Sequence, residues 1–315
     1  MPPEHCKFLP QGSNEGMIGF YSTLLVLGVV GNGLACWRVL GPASRDLKSA
    51  PAVFGLNLMA AHAVLLLSLP FRIVHYARER SWPFGAGFCS AVSALLYVHM
   101  YVSVLLFVCL CVYRFVQLWR RHGDSGAGGG GGGNVARAVL RAYTLPVCAL
   151  AWVFSLALAT PVYLEIIGTN TTRDAARKES VCFEYSGRVE EPYVLRVNVA
   201  LTALYAIACV AFVVGFCLLG RRLRRGAGGR RPGTPGAASV EMRALLKLLW
   251  MFAAFVVCYG PYHATRLPYV AAQADASGAG CDGRHRWYML NEMCLQVTAL
   301  STCLDPLVFF IMTRS

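Results

Sequence analysis

Residues 81–113 read SWPFGAGFCSAVSALLYVHMYVSVLLFVCLCVY, a run without Asp, Glu, Lys or Arg that ends on Arg114 and continues into Phe115. A helix needs about 20 apolar residues to cross the hydrocarbon core of a bilayer, so this run can cross once. Uncharged windows recur at 16–37, 49–71, 142–164, 197–220 and 248–265, and a seventh, 293–313, is interrupted only by Asp305. The chain of 315 residues is 56% apolar and 14% charged, whereas soluble domains carry roughly 25% charged residues. The expected fold is therefore an all-α integral membrane protein, a seven-transmembrane helix bundle. The first window reads as a retained span rather than a cleaved leader, because Glu4, Lys7 and Glu15 precede an apolar segment too long for a leader's core.

Charge fixes the orientation. The side reached after spans one, three and five carries Arg38, Arg45, Lys48, Arg114, Arg120, Arg121, Arg137, Arg141, Arg221, Arg222, Arg224, Arg225, Arg230, Arg231, Arg243 and Lys247, with Arg314 at the end, against Asp46, Asp124 and Glu241. Basic loops stay in the cytoplasm, which puts the N-terminus outside. The formal net charge of +13 then reports topology and contact with anionic membrane lipids, and no nucleic-acid partner is expected. Cys6, Cys89, Cys182 and Cys281 all fall on the outer side, where disulfides persist, and their pairing is open at this level. Asn170-Thr171-Thr172 is an outer glycosylation sequon.

The chain divides into an extracellular N-terminus at 1–16 and one membrane domain at 17–313. Two cytoplasmic segments are compositionally distinct: DSGAGGGGGGN at 124–134, too glycine-rich to hold a helix, and RRLRRGAGGRRPGTPGAAS at 221–239. Both read as flexible loops.

Ionisable and amide side chains inside a membrane are costly and mark function by default. Arg114 and Lys247 lie near cytoplasmic span ends, within snorkelling reach of the interface. Asn32, Asn57, His62 and Asp305 lie mid-span, where interhelical hydrogen bonding is the structural reading. Arg72, His75, Glu165, His263, Arg266 and Glu292 gather near the outer span ends and, with Tyr97, Tyr101, Tyr262 and Tyr269, can line a wet pocket. Hydrolytic and retinal chemistry have no basis here: HxxxH, HExxH and GxSxG are missing from the spans, and residues 286–313 contain no Lys. No metal, cofactor or catalytic residue is expected. A seven-span transporter or channel is the alternative.

Several short motifs occur in a fixed order: Gly31-Asn32, LNLMAAHAVLLLSLPFR at 56–72, Trp82-Pro83-Phe84-Gly85, Cys89 with Cys182, Trp152 with Pro161, Phe255 with Cys258 and Pro261, and Asp305-Pro306 followed by Phe309. In that order they resemble the rhodopsin-like family of G-protein-coupled receptors over about 17–313. The stretches NLMAAHAVLLLSLPFR and WPFGAGFCSAVSALLYVHMY and the pair Asn291-Glu292 further resemble an orphan member. The resemblance implies a multi-pass plasma-membrane receptor that passes an extracellular signal, or basal activity, to heterotrimeric G proteins.

It also implies roles. Cys89 would pair with Cys182, and Cys6 with Cys281 as in purinergic-type receptors. Arg114 stands in the place of the family's Asp-Arg-Tyr arginine, which meets the G-protein alpha subunit, while Tyr113 replaces the usual acid and Phe115 the usual Tyr. His62 stands where the family has a sodium-binding Asp, Tyr259 where it often has Trp, and Phe309 where it has Tyr. His62, Tyr259, Asp305, Pro306 and Phe309 form the expected switch set, and His62 is expected to meet Asp305. His263 and Arg266, in H-A-T-R, resemble the His-x-x-Arg/Lys of purinergic-type receptors. Arg72, His75, Tyr97, Tyr101, Tyr262, His263, Arg266 and Glu292 form the expected ligand set. Arg266 with Arg72 suits a carboxylate or phosphate; a peptide, or no natural agonist, is the alternative reading.

Overall fold

The computed structural model describes residues 14–41, 49–124, 142–176, 182, 192–228, 235–273 and 280–313. The regular elements among them are α-helices: α1 (Asn14–Leu40), α2 (Ala50–Ala77), α3 (Ala86–Asp124), α4 (Thr144–Ala176), α5 (Pro192–Gly228), α6 (Pro235–Gln273), α7 (Cys281–Thr298) and α8 (Ser301–Thr313). By length and composition α1, α2, α3, α5 and α6 each contain a stretch able to cross a membrane, and Thr144–Thr160 of α4 is a shorter apolar helix. α7 and α8 are the two halves of the seventh span, separated by a two-residue turn.

Helix ends follow from local chemistry. Ser49 caps α2, its Oγ accepting from the Ala52 amide at 3.4 Å, and Pro51 supplies a φ already suited to the first turn. Beyond α2 the chain reverses through Glu79 and Arg80, with φ of 52° and 70°. Arg80 is anchored there by its Nε, which donates to Asn14 Oδ1 at 2.9 Å. The seventh span breaks because Thr298, Ser301 and Thr302 turn their hydroxyls onto carbonyls three residues back, competing with the ladder. Pro306 adds to this, since without an N–H it cannot bond the carbonyl four residues earlier, that of Thr302.

α3 is the central rod, packing on α2, α4, α5 and α6; α1 packs on α2 and α8, and α6 on α5, α7 and α8. The main core is continuous from Tyr21 and Phe54 through Met100 and Leu106 to Phe255 and Tyr259. The outer surface is apolar as well. Val26, Leu67, Val153 and Val210 are each more than 60% exposed, which a molecule in water would not sustain over five long helices and which hydrocarbon surroundings explain. At the outer end Phe71 packs edge to face on Phe84 and Phe88, and Trp82 edge to face on Phe84 and stacked on Phe88. Beside them Cys89 and Cys182 form a disulfide spanning 93 residues of sequence.

Two details differ from the sequence expectation. α4 continues to Ala176, so the sequon at Asn170 sits on helix rather than in a loop, although its side chain lies outside the described residues. α5 continues to Gly228 and α6 begins at Pro235, so much of 221–239 is helical. Arg and Leu are good helix formers, and extending an existing helix needs no new nucleus. Residues 125–134 of the glycine segment, residues 1–13 including Cys6, and the side chains of Glu165 and Phe309 lie outside the described residues.

Candidate functional site

The outer ends of α2, α3, α5, α6 and α7 converge on two arginines. Arg266, on α6, is fixed by its Nε donating to Asn198 Oδ1 of α5 at 2.7 Å. Its guanidinium lies 5.8 Å from the Tyr262 ring centroid and 5.3 Å from that of Tyr269, and Tyr97 and Tyr101 of α3 lie within its field. Arg72, on α2, is buried with its guanidinium 5.9 Å from the Tyr21 ring, and Tyr21 stacks on Tyr76. Glu292 on α7 is half-buried in the field of both arginines. Six tyrosines and one carboxylate thus gather about two cations, an arrangement in which aromatic faces and a counter-charge keep guanidinium groups stable away from bulk water.

The other two members of the expected ligand set divide. His263 is buried, lies face to face with Tyr205 at 4.3 Å and edge-on to Tyr262. Its Nε2 has no hydrogen-bond partner among the described residues, and a buried ring nitrogen left so is available to a ligand. His75 is placed differently: it packs edge-on against Tyr76 and Trp82, supporting the first outer loop. Asn198 was missed in the sequence, and Asn291, named there only as part of the pair Asn291-Glu292, was not expected in the pocket. A single amide in the fifth apolar window was the signal for Asn198; Asn291, whose buried amide has no partner on either atom among the described residues, shows itself only in the fold.

A second polar cluster occupies the middle of the bundle. Asn32 of α1 donates through Nδ2 to Gly28 O and to Thr302 O, both at 2.8 Å. The second bond satisfies the carbonyl that Pro306 leaves without a donor. Asn32 Oδ1 is thereby oriented as an acceptor facing His62 Nδ1 at 2.8 Å, and His62 Nε2 lies 3.1 Å from Asp305 Oδ2. The amide oxygen accepts only, so Nδ1 must carry a hydrogen. His99 lies 5.6 Å from the His62 ring, with Nε2 3.4 Å from Ser301 Oγ, and Tyr259 is fully buried. Among the described residues no group of three or more His, Cys, Asp or Glu is placed to hold a metal ion.

At the inner end, the Tyr113 hydroxyl accepts from Gln117 Nε2 at 2.7 Å, one turn along its own helix, and its ring tilts against Phe54. Arg114 shares its surroundings with Lys247 of α6, a like charge. Phe115 stacks on Trp119, over which the Arg222 guanidinium of α5 lies 4.5 Å from the ring centroid.

Residues 31–309 match the pattern of the 7 transmembrane receptor (rhodopsin family). The chain belongs to that family. The mouse protein "Probable G-protein coupled receptor 34" is 25% identical over 297 residues, covering 94% of this chain and 73% of its own length. The zebrafish "G-protein coupled receptor 183-A" is 27% identical over 292 residues, covering 92% and 74%. The rat "P2Y purinoceptor 6" is 25% identical over 317 residues, covering 98% and 88%. This receptor is accordingly a multi-pass plasma-membrane protein that couples to G proteins, and the transporter or channel alternative finds no support. The finer likeness to one orphan member is not shown by these relatives. Within the receptor frame, the Cys89–Cys182 bond ties α3 to the second outer loop, as the resemblance implied. Cys281 is also disulfide-bonded, to a partner outside the described residues.

Proposed function

We propose that this receptor takes a small anionic ligand in the outer pocket and passes the change to a heterotrimeric G protein through Arg114, with no catalytic activity of its own. The observation that carries the ligand class is the pair of arginines, Arg72 buried and Arg266 half-buried, set among Tyr21, Tyr101, Tyr262 and Tyr269 with the carboxylate of Glu292 in the field of both. Among the described residues two cations face the one carboxylate of Glu292, and a guanidinium presents paired donors suited to a further carboxylate or phosphate. His263 Nε2 supplies a neutral polar contact beside Arg266, and Asn198 holds the guanidinium so that little side-chain entropy is lost when a ligand arrives.

In this reading His62, Tyr259, Asp305, Pro306 and Phe309 connect the pocket to the inner end, Cys6 is the partner of Cys281, and Asn170 is a glycosylation acceptor. A carboxylate and its uncharged amide of the same skeleton test the ligand class. In a thermal-shift titration of the purified receptor the carboxylate stabilises and the amide does not, and Arg266→Gln weakens the carboxylate about tenfold, in line with about 1.4 kcal/mol for one charge-assisted contact. Equal stabilisation by both compounds would remove the anionic-ligand reading.

A further inference from the structure

A cavity of about 150 Å³ lies between α3, α5 and α6, in the cytoplasmic half of the bundle and away from the outer arginines. Val108, Phe115, Ala211, Phe212, Gly215 and Phe252 line it, and no charged side chain does. Val112, another lining residue, is 57% exposed, so the cavity opens toward the surrounding hydrocarbon and not into the bundle axis. Its depth comes from Gly215, where a methyl group would stand 3.1 Å from the Phe115 ring. An apolar cavity of this size stays dry and accepts hydrocarbon.

A second, independent feature adjoins it. Phe115, on the cavity wall, stacks on Trp119, and Trp119 carries the Arg222 guanidinium on its ring face. Stacking uses the flat face of the guanidinium and leaves its in-plane N–H donors directed outward. Arg221, next to it on α5, and Arg120, next to Trp119 on α3, are exposed, so this end of the two helices is basic where the inner leaflet is negative. From Phe216, in the cavity, to Arg222 the rise along α5 is about 9 Å at 1.5 Å per residue, a span that a glycerol backbone and the first methylenes of an acyl chain can cover.

From the apolar cavity and the adjoining stacked arginine, we infer that an anionic phospholipid of the inner leaflet binds here, its phosphate on Arg222 and one acyl chain in the cavity between α3, α5 and α6. The site is separate from the outer ligand pocket and lies beside Arg114, between the helices that frame the G-protein face.

The test uses the full chain in nanodiscs of phosphatidylcholine alone or mixed with phosphatidylserine, reading the rise in Tm that phosphatidylserine produces within each variant. Wild type shows a rise. Arg222→Gln, which removes the headgroup contact, and Ala211→Phe, which fills the cavity, each remove at least half of it, whereas Arg38→Gln, a cytoplasmic cation on α1, keeps it. Soluble glycerophosphoserine added to phosphatidylcholine discs at matched phosphate gives no rise. Because each variant is its own reference, a lower starting stability does not obscure the outcome. No rise in wild type, a full rise in either Arg222→Gln or Ala211→Phe, loss of the rise in Arg38→Gln, or an equal rise with the soluble headgroup each overturns the inference.

Discussion

His62 Nε2 stands 3.1 Å from Asp305 Oδ2, while the other nitrogen of the same ring stands 2.8 Å from Asn32 Oδ1, whose amide end is held by two backbone carbonyls. One imidazole thus links α1, α2 and α8 and fills the position where the family resemblance would place a sodium-binding acid. His62 thus occupies the side of Asp305 where the resemblance implies a sodium-binding carboxylate.

Breaking this pair from one side strands a buried polar group. His62→Ala should cost about 3–5 kcal/mol, the usual penalty for leaving one partner of a buried ion pair. The double variant His62→Ala with Asp305→Ala should be more stable than His62→Ala alone. Thermal unfolding of the four proteins in one detergent forms the cycle, and additive losses would show that the two side chains are not coupled.

Sodium should be without effect on the wild type. Exchanging potassium for sodium at constant ionic strength leaves Tm unchanged, whereas His62→Asp, which restores two carboxylates to the site, makes Tm rise with sodium. A sodium-dependent shift in the wild type would mean that His62 does not close the site.

How much of this was legible in the sequence depends on the kind of signal. Charge-free windows locate the spans because crossing hydrocarbon constrains composition directly, and Arg72, Arg266 and Glu292 are conspicuous because apolar surroundings make each of them costly. The break in the seventh span was not legible: 293–313 is apolar on both sides, and the turn arises from hydroxyls at Thr298, Ser301 and Thr302 that hydropathy averages away. His75 and His263 look alike as letters, yet one braces Trp82 and the other faces Tyr205. The cavity at Gly215 is a property of how three helices fail to fill space, which no single helix encodes.

The outer disulfide should matter more than any single contact near it. Closing a loop of 93 residues restricts the unfolded chain by about 4–5 kcal/mol in the chain-entropy account. Cys89→Ser should therefore lower the unfolding temperature sharply and reduce surface expression, and a second substitution, Cys182→Ser, should add little. Additive losses in the double variant would separate the two cysteines.

Tyr113 bonds within its own helix to Gln117 and stands at the position where the family resemblance implies an acid next to Arg114. Tyr113→Asp should supply one and lower basal signalling about fivefold, for roughly 1 kcal/mol from a partly exposed ion pair. Ligand-free nucleotide exchange at matched receptor concentration measures it, and an unchanged rate counts against a restraining role for that position.

The most direct measurement of the whole account is GTP exchange on purified heterotrimeric G proteins of each class, driven by this receptor in nanodiscs without ligand. At least one class should exchange faster than with empty discs, and Arg114→Ala should return that rate to background while leaving the folded fraction unchanged. If no class responds, or if Arg114→Ala exchanges as fast as wild type, the inner end described here is not where the signal leaves the molecule.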